Sequence, residues 1–397
     1  MEFEISKKLV SLPPYLFAEI DRVKRKLVAE GKELIDLGVG DPDQPTPAPV
    51  VDALCRAARD GRNHRYALDF GMEVFRRAIV DWFYRRYQVR LDPNREVLPL
   101  LGTKEGIAHI PLAFVNPGDR VLIPCPGYPV YRSGTIFAGG VPVTMPLREK
   151  SGFLAEPAAL GASETARAKM LFINYPNNPT TAVCDLDYLR MVGEFARSRG
   201  IIVCHDAAYA ELTFDGYRAP SVLQVEGAIE NAIEFHSFSK TFNMSGWRVG
   251  FAAGNEKIIA GLSKIKSNID SGIFQAVQLA AVEALLRWEE LVPPMLETYR
   301  KRRNIMVEGL NQLGWKISPP RGTFYLWIRA MEGLDSAATA AFMLREAGIV
   351  ATPGQGLGKN GEGYVRMALT RPEKEISKAM ANLERVLAKA SSTPGRD

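Results

Sequence analysis

The chain has 397 residues, 50 Lys and Arg against 45 Asp and Glu for a formal net charge of +5, and 46% hydrophobic residues. That length suits a large core and two domains. The charge is near balance and no Lys/Arg block stands out as a nucleic-acid footprint, and no apolar run nears the ~20 residues of a membrane span.

Residues 15–30, "YLFAEIDRVKRKLVAE", set Leu16, Ile20, Val23 and Leu27 on one helical face, and Gly31 ends that helix. "ELIDLGVGDPD" reads as a short strand entering a loop. Helices are predicted at about 47–60 and 71–87. Short apolar runs then alternate with helical stretches: "EVLPLL", "RVLIPC", "KMLFIN", "GIIVCHD" and "IEFHSF". Runs such as "IIVC" show no alternation, as strands buried on both faces of a parallel sheet do. An α/β fold with helices on both faces is expected, its large domain spanning 46–285. After Phe274 the chain turns mostly helical, and "GTFYLWI" and "GYVRMAL" predict a second sheet. A smaller α+β domain is expected from 1–45 with 286–390, followed by a disordered tail over 391–397.

The four cysteines, Cys55, Cys125, Cys184 and Cys204, form no CxxC pair. "MEFEISKKLV" lacks the apolar core of a signal peptide. Reduced thiols and a cytoplasmic location are expected. The four histidines lack any HxxxH or His/Cys spacing, so no metal site is expected.

In open α/β sheets ligands bind beyond the carboxyl ends of the strands. After "VLPLL" comes "GTKEGI", in which Gly102, Thr103 and Lys104 form a turn into a helix that can offer N–H groups to an anion. After "LFIN" comes "YPNNPTT", with Asn177 and Asn178; taken alone it reads as a turn. After "IIVCH" comes "DAAYAE". Asp206 there is either a helix cap or a buried carboxylate awaiting a cation, and Tyr209 follows. After "IEFHSF" comes Lys240, flanked by Ser237, Ser239 and Arg248. One ligand needs all of these at once: pyridoxal 5′-phosphate. Its aldehyde needs an amine, its pyridine nitrogen a carboxylate, its phosphate N–H groups, hydroxyls and an arginine fork, and its ring oxygen donors.

These motifs resemble the class I/II aminotransferases of the fold type I group. They run in family order: "GVGDPD", "HRYALDFG", "GTKEG", "PCPGYPVY", "NYPNNPT", "HDAAYAEL", "SFSKTFNMSGWRVGF" and "GEGYVRMAL". Within the group the chain is most similar to the bacterial LL-diaminopimelate aminotransferases, through "LPPYLFAEIDR", "LGTKEGIAHIPLAFVNPGD" and "SNIDSG". The resemblance implies a large domain with a mostly parallel seven-stranded sheet. It also implies amino-group transfer between LL-diaminopimelate and 2-oxoglutarate, or tetrahydrodipicolinate and glutamate in reverse, in lysine biosynthesis. A broader alanine, aspartate or aromatic aminotransferase is the alternative, followed by a C–S lyase on the same fold.

Carried onto this sequence, the resemblance makes Lys240 the lysine that forms the internal aldimine and shuttles the proton. Asp206 pairs with the pyridine nitrogen, Tyr209 and Asn178 bind the ring oxygen, and Tyr128 stacks on the ring. Thr103, Lys104, Ser237, Ser239 and Arg248 surround the phosphate. Tyr66 resembles the tyrosine that reaches the cofactor of a neighbouring subunit, which implies a homodimer with shared sites. Arg366 resembles the arginine that clamps the substrate carboxylate, and Tyr15, Gly40, Lys104, Tyr128 and Asn178 resemble substrate contacts. Read without the family, Tyr128 is a core residue and Arg366 a solvated strand arginine. Three positions depart from the family pattern. Thr181 stands where a glycine is usual, Asp69 matches an acidic substrate contact only loosely, and Gly272 replaces a Ser or Asn.

Overall fold

The computed structural model describes residues 3–12, 16–67 and 70–392. Among them are twelve strands: β1 (Ile35–Asp36), β2 (Val97–Leu100), β3 (Arg120–Cys125), β4 (Val141–Pro146), β5 (Ala168–Asn174), β6 (Ile202–Asp206), β7 (Ala232–Ser237), β8 (Gly250–Gly254), β9 (Tyr325–Arg329), β10 (Ile349–Val350), β11 (Thr352–Pro353) and β12 (Tyr364–Ala368). Seven form one sheet in the order β2-β8-β7-β6-β5-β3-β4. Every pairing in it is parallel except the two made by β8. The mostly parallel seven-stranded sheet implied by the resemblance is therefore present.

Both faces of this sheet are covered. Leu98, Ile123, Phe172, Cys204 and Phe235 pack with Ile107 and Ile110 of the helix Thr103–Phe114 and with Ile258 and Leu262 of the helix Glu256–Lys266. On the other face Leu122, Leu171, Ile173 and Val203 pack with the helices Glu73–Tyr87 and Leu186–Arg197. Burial on both sides is why the central strands read as unbroken apolar runs. β4 escaped sequence reading. It carries Pro142 and Pro146 and lies half-exposed at the sheet edge, where proline costs no ladder bond.

The predicted early helices are found as Leu16–Ala29, Ala48–Ala58 and Glu73–Tyr87. A three-stranded antiparallel sheet runs in the order β11-β12-β9, and β1 pairs in parallel with β10 through Ile35↔Ile349. Thus the N-terminal strand joins the C-terminal third of the chain. The last helix, Glu373–Ser392, runs two residues into the tail expected to be disordered. Among the described residues no helix is long and apolar enough to cross a membrane.

Candidate active site

Parallel register lines up the carboxyl ends of β5, β6 and β7: Asn174 pairs with Asp206, and Asp206 with Phe235. Asp206 is buried there and accepts from the Tyr131 hydroxyl at 2.7 Å and the Ala208 N–H at 3.2 Å. Burial pushes its carboxyl above the usual range, and those two hydrogen bonds pull it back. Tyr131 stacks on Phe172 at 5.0 Å and meets Tyr128 edge-on at 5.8 Å. Tyr128 itself is half-buried and caps the helix Pro129–Phe137. Asn174 donates to the Asp206 carbonyl at 2.7 Å and accepts the Asn178 N–H at 2.8 Å, which locks the "NNP" turn to the strand ends.

Lys240 follows β7 in the short helix Phe238–Thr241, where the Ser237 hydroxyl accepts the Ser239 N–H at 3.2 Å. The Lys240 amine donates to the Gly40 carbonyl at 2.8 Å. Burial, helped by repulsion from Arg248 and Arg366 and opposed by Asp41, pulls this amine down from 10.5 to about 8.

A second cluster lies at the start of the helix Thr103–Phe114. Gly102 has φ +77°, and a Cβ there would lie 2.5 Å from Arg248 Nη2. A Cβ on Gly250 would crowd the Thr103 nitrogen at 3.2 Å. Arg248 is fixed by donating to the Ser245 carbonyl at 2.8 Å. The turn is braced from behind: the Glu105 carboxylate accepts the Leu101 N–H at 2.6 Å, and buried Lys266 bridges Glu105 at 3.2 Å and Asp270 at 2.8 Å. Thr103, Ser237 and Ser239 are buried nearby in sequence and fold, while Lys104 is exposed on the first helical turn.

Arg366 on β12 is only 3% exposed, unlike the solvated strand arginine that its sequence suggests on its own. Its Nη1 donates to Asn178 Oδ1 at 2.8 Å and its Nη2 to the Gly38 carbonyl at 2.8 Å, while buried Nε has no partner. The guanidinium lies 4.3 Å over the Tyr325 ring, and the Tyr325 hydroxyl is 3.2 Å from that of Tyr209. Sequence reading missed Tyr325 and Tyr131. The available signals were the "GTFYLWI" strand placed beside the predicted arginine strand, and a second tyrosine three residues after Tyr128.

Tyr66 stands apart from this group. It is 82% exposed, with its carbonyl held by Gln275 at 3.2 Å. Tyr15 and Asp69 lie outside the described residues.

A lysine, a carboxylate and two arginines at the carboxyl ends of a mostly parallel, doubly covered sheet define a group-transfer enzyme of the aminotransferase type. Residues 32–383 match the family model described as Aminotransferase class I and II, and the chain belongs to that family. It is 50% identical over 98% of its length to all of an LL-diaminopimelate aminotransferase of Desulforudis audaxviator. It is 51% identical to an LL-diaminopimelate aminotransferase of Moorella thermoacetica, covering 97% of this chain and 98% of that one. A solved structure of a probable N-succinyldiaminopimelate aminotransferase from Thermus thermophilus superposes with a TM-score of 0.88 at 37% identity, over 93% of this chain and 99% of that one.

Proposed function

We propose that this aminotransferase uses pyridoxal 5′-phosphate to move an amino group from LL-diaminopimelate to 2-oxoglutarate, giving tetrahydrodipicolinate and glutamate, and the reverse. The observation that carries the substrate is the 50% identity, over nearly the whole chain, to relatives named for it. The cofactor reading has independent support in the side chains. Arg248 against the glycine at 102 makes a cradle that any Cβ would fill. Asp206 is a buried carboxylate whose ionised form needs a cationic partner. Arg366 keeps one buried N–H without a partner.

When bound, the cofactor supplies an aldehyde for the amine and a pyridine ring that draws electrons from the substrate Cα. Lys240, with its lowered pKa, provides a free amine and carries the proton at that carbon. Asp206 keeps the pyridine nitrogen protonated. Thr103, Lys104, Ser237, Ser239 and Arg248 hold the phosphate, and Tyr128 covers the ring. Asn178 accepts from Arg366 through Oδ1, which leaves its Nδ2 to donate to the ring oxygen beside Tyr209. Arg366 grips the α-carboxylate as a fork. Gly40, Tyr15, Lys104 and Tyr128 line the substrate, whose distal amino-acid end needs polar partners away from the ring.

The exposure of Tyr66 supports a role in the site of a second copy, and hence a homodimer. The domain division, 46–285 against 1–45 with 286–390, is part of the same reading and is supported by the separate sheets. The four free thiols favour a reducing, cytoplasmic setting.

The test is a donor screen with 2-oxoglutarate as acceptor. LL-diaminopimelate is expected to turn over well and alanine and phenylalanine poorly, because analogues that lack the distal polar group leave the groups built to receive it unpaired. The meso isomer keeps that group and is expected to be poor because the distal end is read stereospecifically. Efficient turnover of alanine or an aromatic amino acid, with none of LL-diaminopimelate, sinks the substrate assignment.

A further inference from the structure

Tyr325 sits where the carboxylate-binding and ring-binding halves of the site meet. It opens β9, is 3% exposed, and is pinned from both sides. Its N–H donates to the Thr323 hydroxyl at 3.1 Å, and the Thr323 N–H donates to the Leu212 carbonyl at 2.9 Å, so the strand start is tied to the turn that carries Tyr209. Three groups converge on its side chain. The Arg366 guanidinium covers the ring face at 4.3 Å, the Tyr209 hydroxyl lies 3.2 Å from its own, and Gly40 approaches so closely that a Cβ would fall 1.8 Å from its oxygen.

We propose that Tyr325 is a positioning residue with two separable tasks. Its ring fixes the plane of the Arg366 fork, and its hydroxyl sets the direction of the Tyr209 proton. This rests on the reading that Arg366 binds the substrate carboxylate and Tyr209 the cofactor ring oxygen. The first task follows from the cation–π contact in a dry site, where such a contact holds a guanidinium flat without using any of its N–H donors. The second follows from donor counting. A phenol has one O–H. If Tyr325 donates to Tyr209, the Tyr209 proton is left for the ring oxygen, and the two bonds polarise each other. The close approach of Gly40 holds the Tyr325 oxygen in place from the third side.

Two variants divide the tasks. Tyr325→Phe keeps the ring and removes the proton. It is expected to shift the pH midpoint of the bound cofactor's visible absorption band, read without substrate, while the amino-donor KM stays within about twofold of the parent. Tyr325→Leu removes the ring, and the donor KM is expected to rise roughly 5- to 30-fold, the range of a desolvated cation–π contact. A Tyr325→Phe enzyme with the parental absorption titration overturns the hydroxyl's task. A Tyr325→Leu enzyme with the KM of Tyr325→Phe overturns the ring's. Should Tyr325→Leu fail to fold, Tyr325→Met decides the KM comparison in its place. If the parent enzyme itself binds no pyridoxal 5′-phosphate, the failure lies with the function proposed above and not with Tyr325.

Discussion

The Lys240 amine donates to the carbonyl of Gly40 at 2.8 Å, across 200 residues of sequence. Gly40 belongs to an N-terminal strap laid over the site. Gly38 supplies a carbonyl to Arg366 at 2.8 Å, Asp43 takes a two-point ion pair from buried Arg302 at 2.6 and 2.8 Å, and the Thr46 hydroxyl donates to the Asn243 carbonyl at 2.7 Å. The strap meets the buried amine through the Gly40 carbonyl, while its Asp41 opposes the lowering that burial imposes.

With the Lys240 amine lowered to about 8, uptake of pyridoxal 5′-phosphate by the apoenzyme is expected to depend on pH. Only the neutral amine attacks an aldehyde. The uptake rate should climb with pH and level off above about 8, and the Ala variant should show no such limb. A plateau reached only near 10.5 contradicts a desolvated amine. The sign for stability follows. Between about 8 and 10.5 the unfolded chain holds this proton and the folded one does not, so the lysine's contribution to apoenzyme stability grows as pH rises through that window.

Arg366→Lys is expected to raise the amino-donor KM roughly 10- to 100-fold, the worth of one charge-assisted hydrogen bond. A lysine can replace neither the contact to Asn178 nor that to Gly38 while also facing a carboxylate. The cofactor's absorption spectrum should change little. An unchanged KM across donors would remove Arg366 from the substrate site.

Asp206→Asn should lower kcat by orders of magnitude, because an amide cannot keep the pyridine nitrogen protonated. Tyr131→Phe should give a smaller loss, since it removes one of the donors that hold the buried carboxylate ionised. A turn, not a helix, follows Asp206, so it is not the helix cap its sequence allowed; near-parental rates in the Asn variant would reduce it to an acceptor for the Ala208 N–H in the turn after β6.

How much of this was legible in the sequence depended on where each residue's partners lie. β5, β6 and β7 were readable because burial on both faces leaves an apolar run. β4 was not, because an edge strand with two prolines leaves none. Lys240 and Asp206 could be singled out because each follows such a run with a charged side chain at a buried strand's end, whereas Asn178 taken alone reads as a turn and stands out only through the family resemblance. Tyr325 and Tyr131 could not, because their hydroxyl partners, Tyr209 and Asp206, lie far away in sequence and a tyrosine in a strand or helix reads as core. Glu234 shows the same limit. It lies inside the apolar "IEFHSF", and its main partner, His205, stands 29 residues away in sequence.

Glu234 is fully buried, and its carboxylate meets His205 Nδ1 at 2.8 Å, His236 Nε2 at 2.6 Å and the Val222 N–H at 2.8 Å. Burial alone would raise its pKa, but the two imidazoles hold it well below the usual 4.5. Its stabilising contribution is therefore full above about pH 4.5 and fades only as pH falls toward the depressed value. Glu234→Gln at pH 7 should cost about 1–3 kcal/mol, the penalty for leaving buried hydrogen-bond donors such as the Val222 N–H without an acceptor. A denaturant midpoint indistinguishable from the parent's would show that the imidazoles do not need this anion.

Thr181 offers a stabilising change. It stands where the family pattern has glycine, and its φ is +63°, in the left-handed region that β-branched residues avoid. A non-glycine residue held there costs about 1–3 kcal/mol. The turn does not depend on its side chain. The Thr181 N–H donates to the Asn177 carbonyl at 2.9 Å, and the hydroxyl that binds Asn177 Oδ1, at 2.7 Å, belongs to Thr180. Thr181→Gly relieves the strain but loosens the unfolded chain by about 1 kcal/mol, so a net gain of about 1 kcal/mol is expected. In a chain of this size that corresponds to a melting temperature higher by roughly 1–3 °C. Thr181→Ala, which keeps a Cβ in the same conformation, should melt below Thr181→Gly. If the glycine variant melted below the parent, the threonine side chain would have to be stabilising the turn by more than its backbone strain costs.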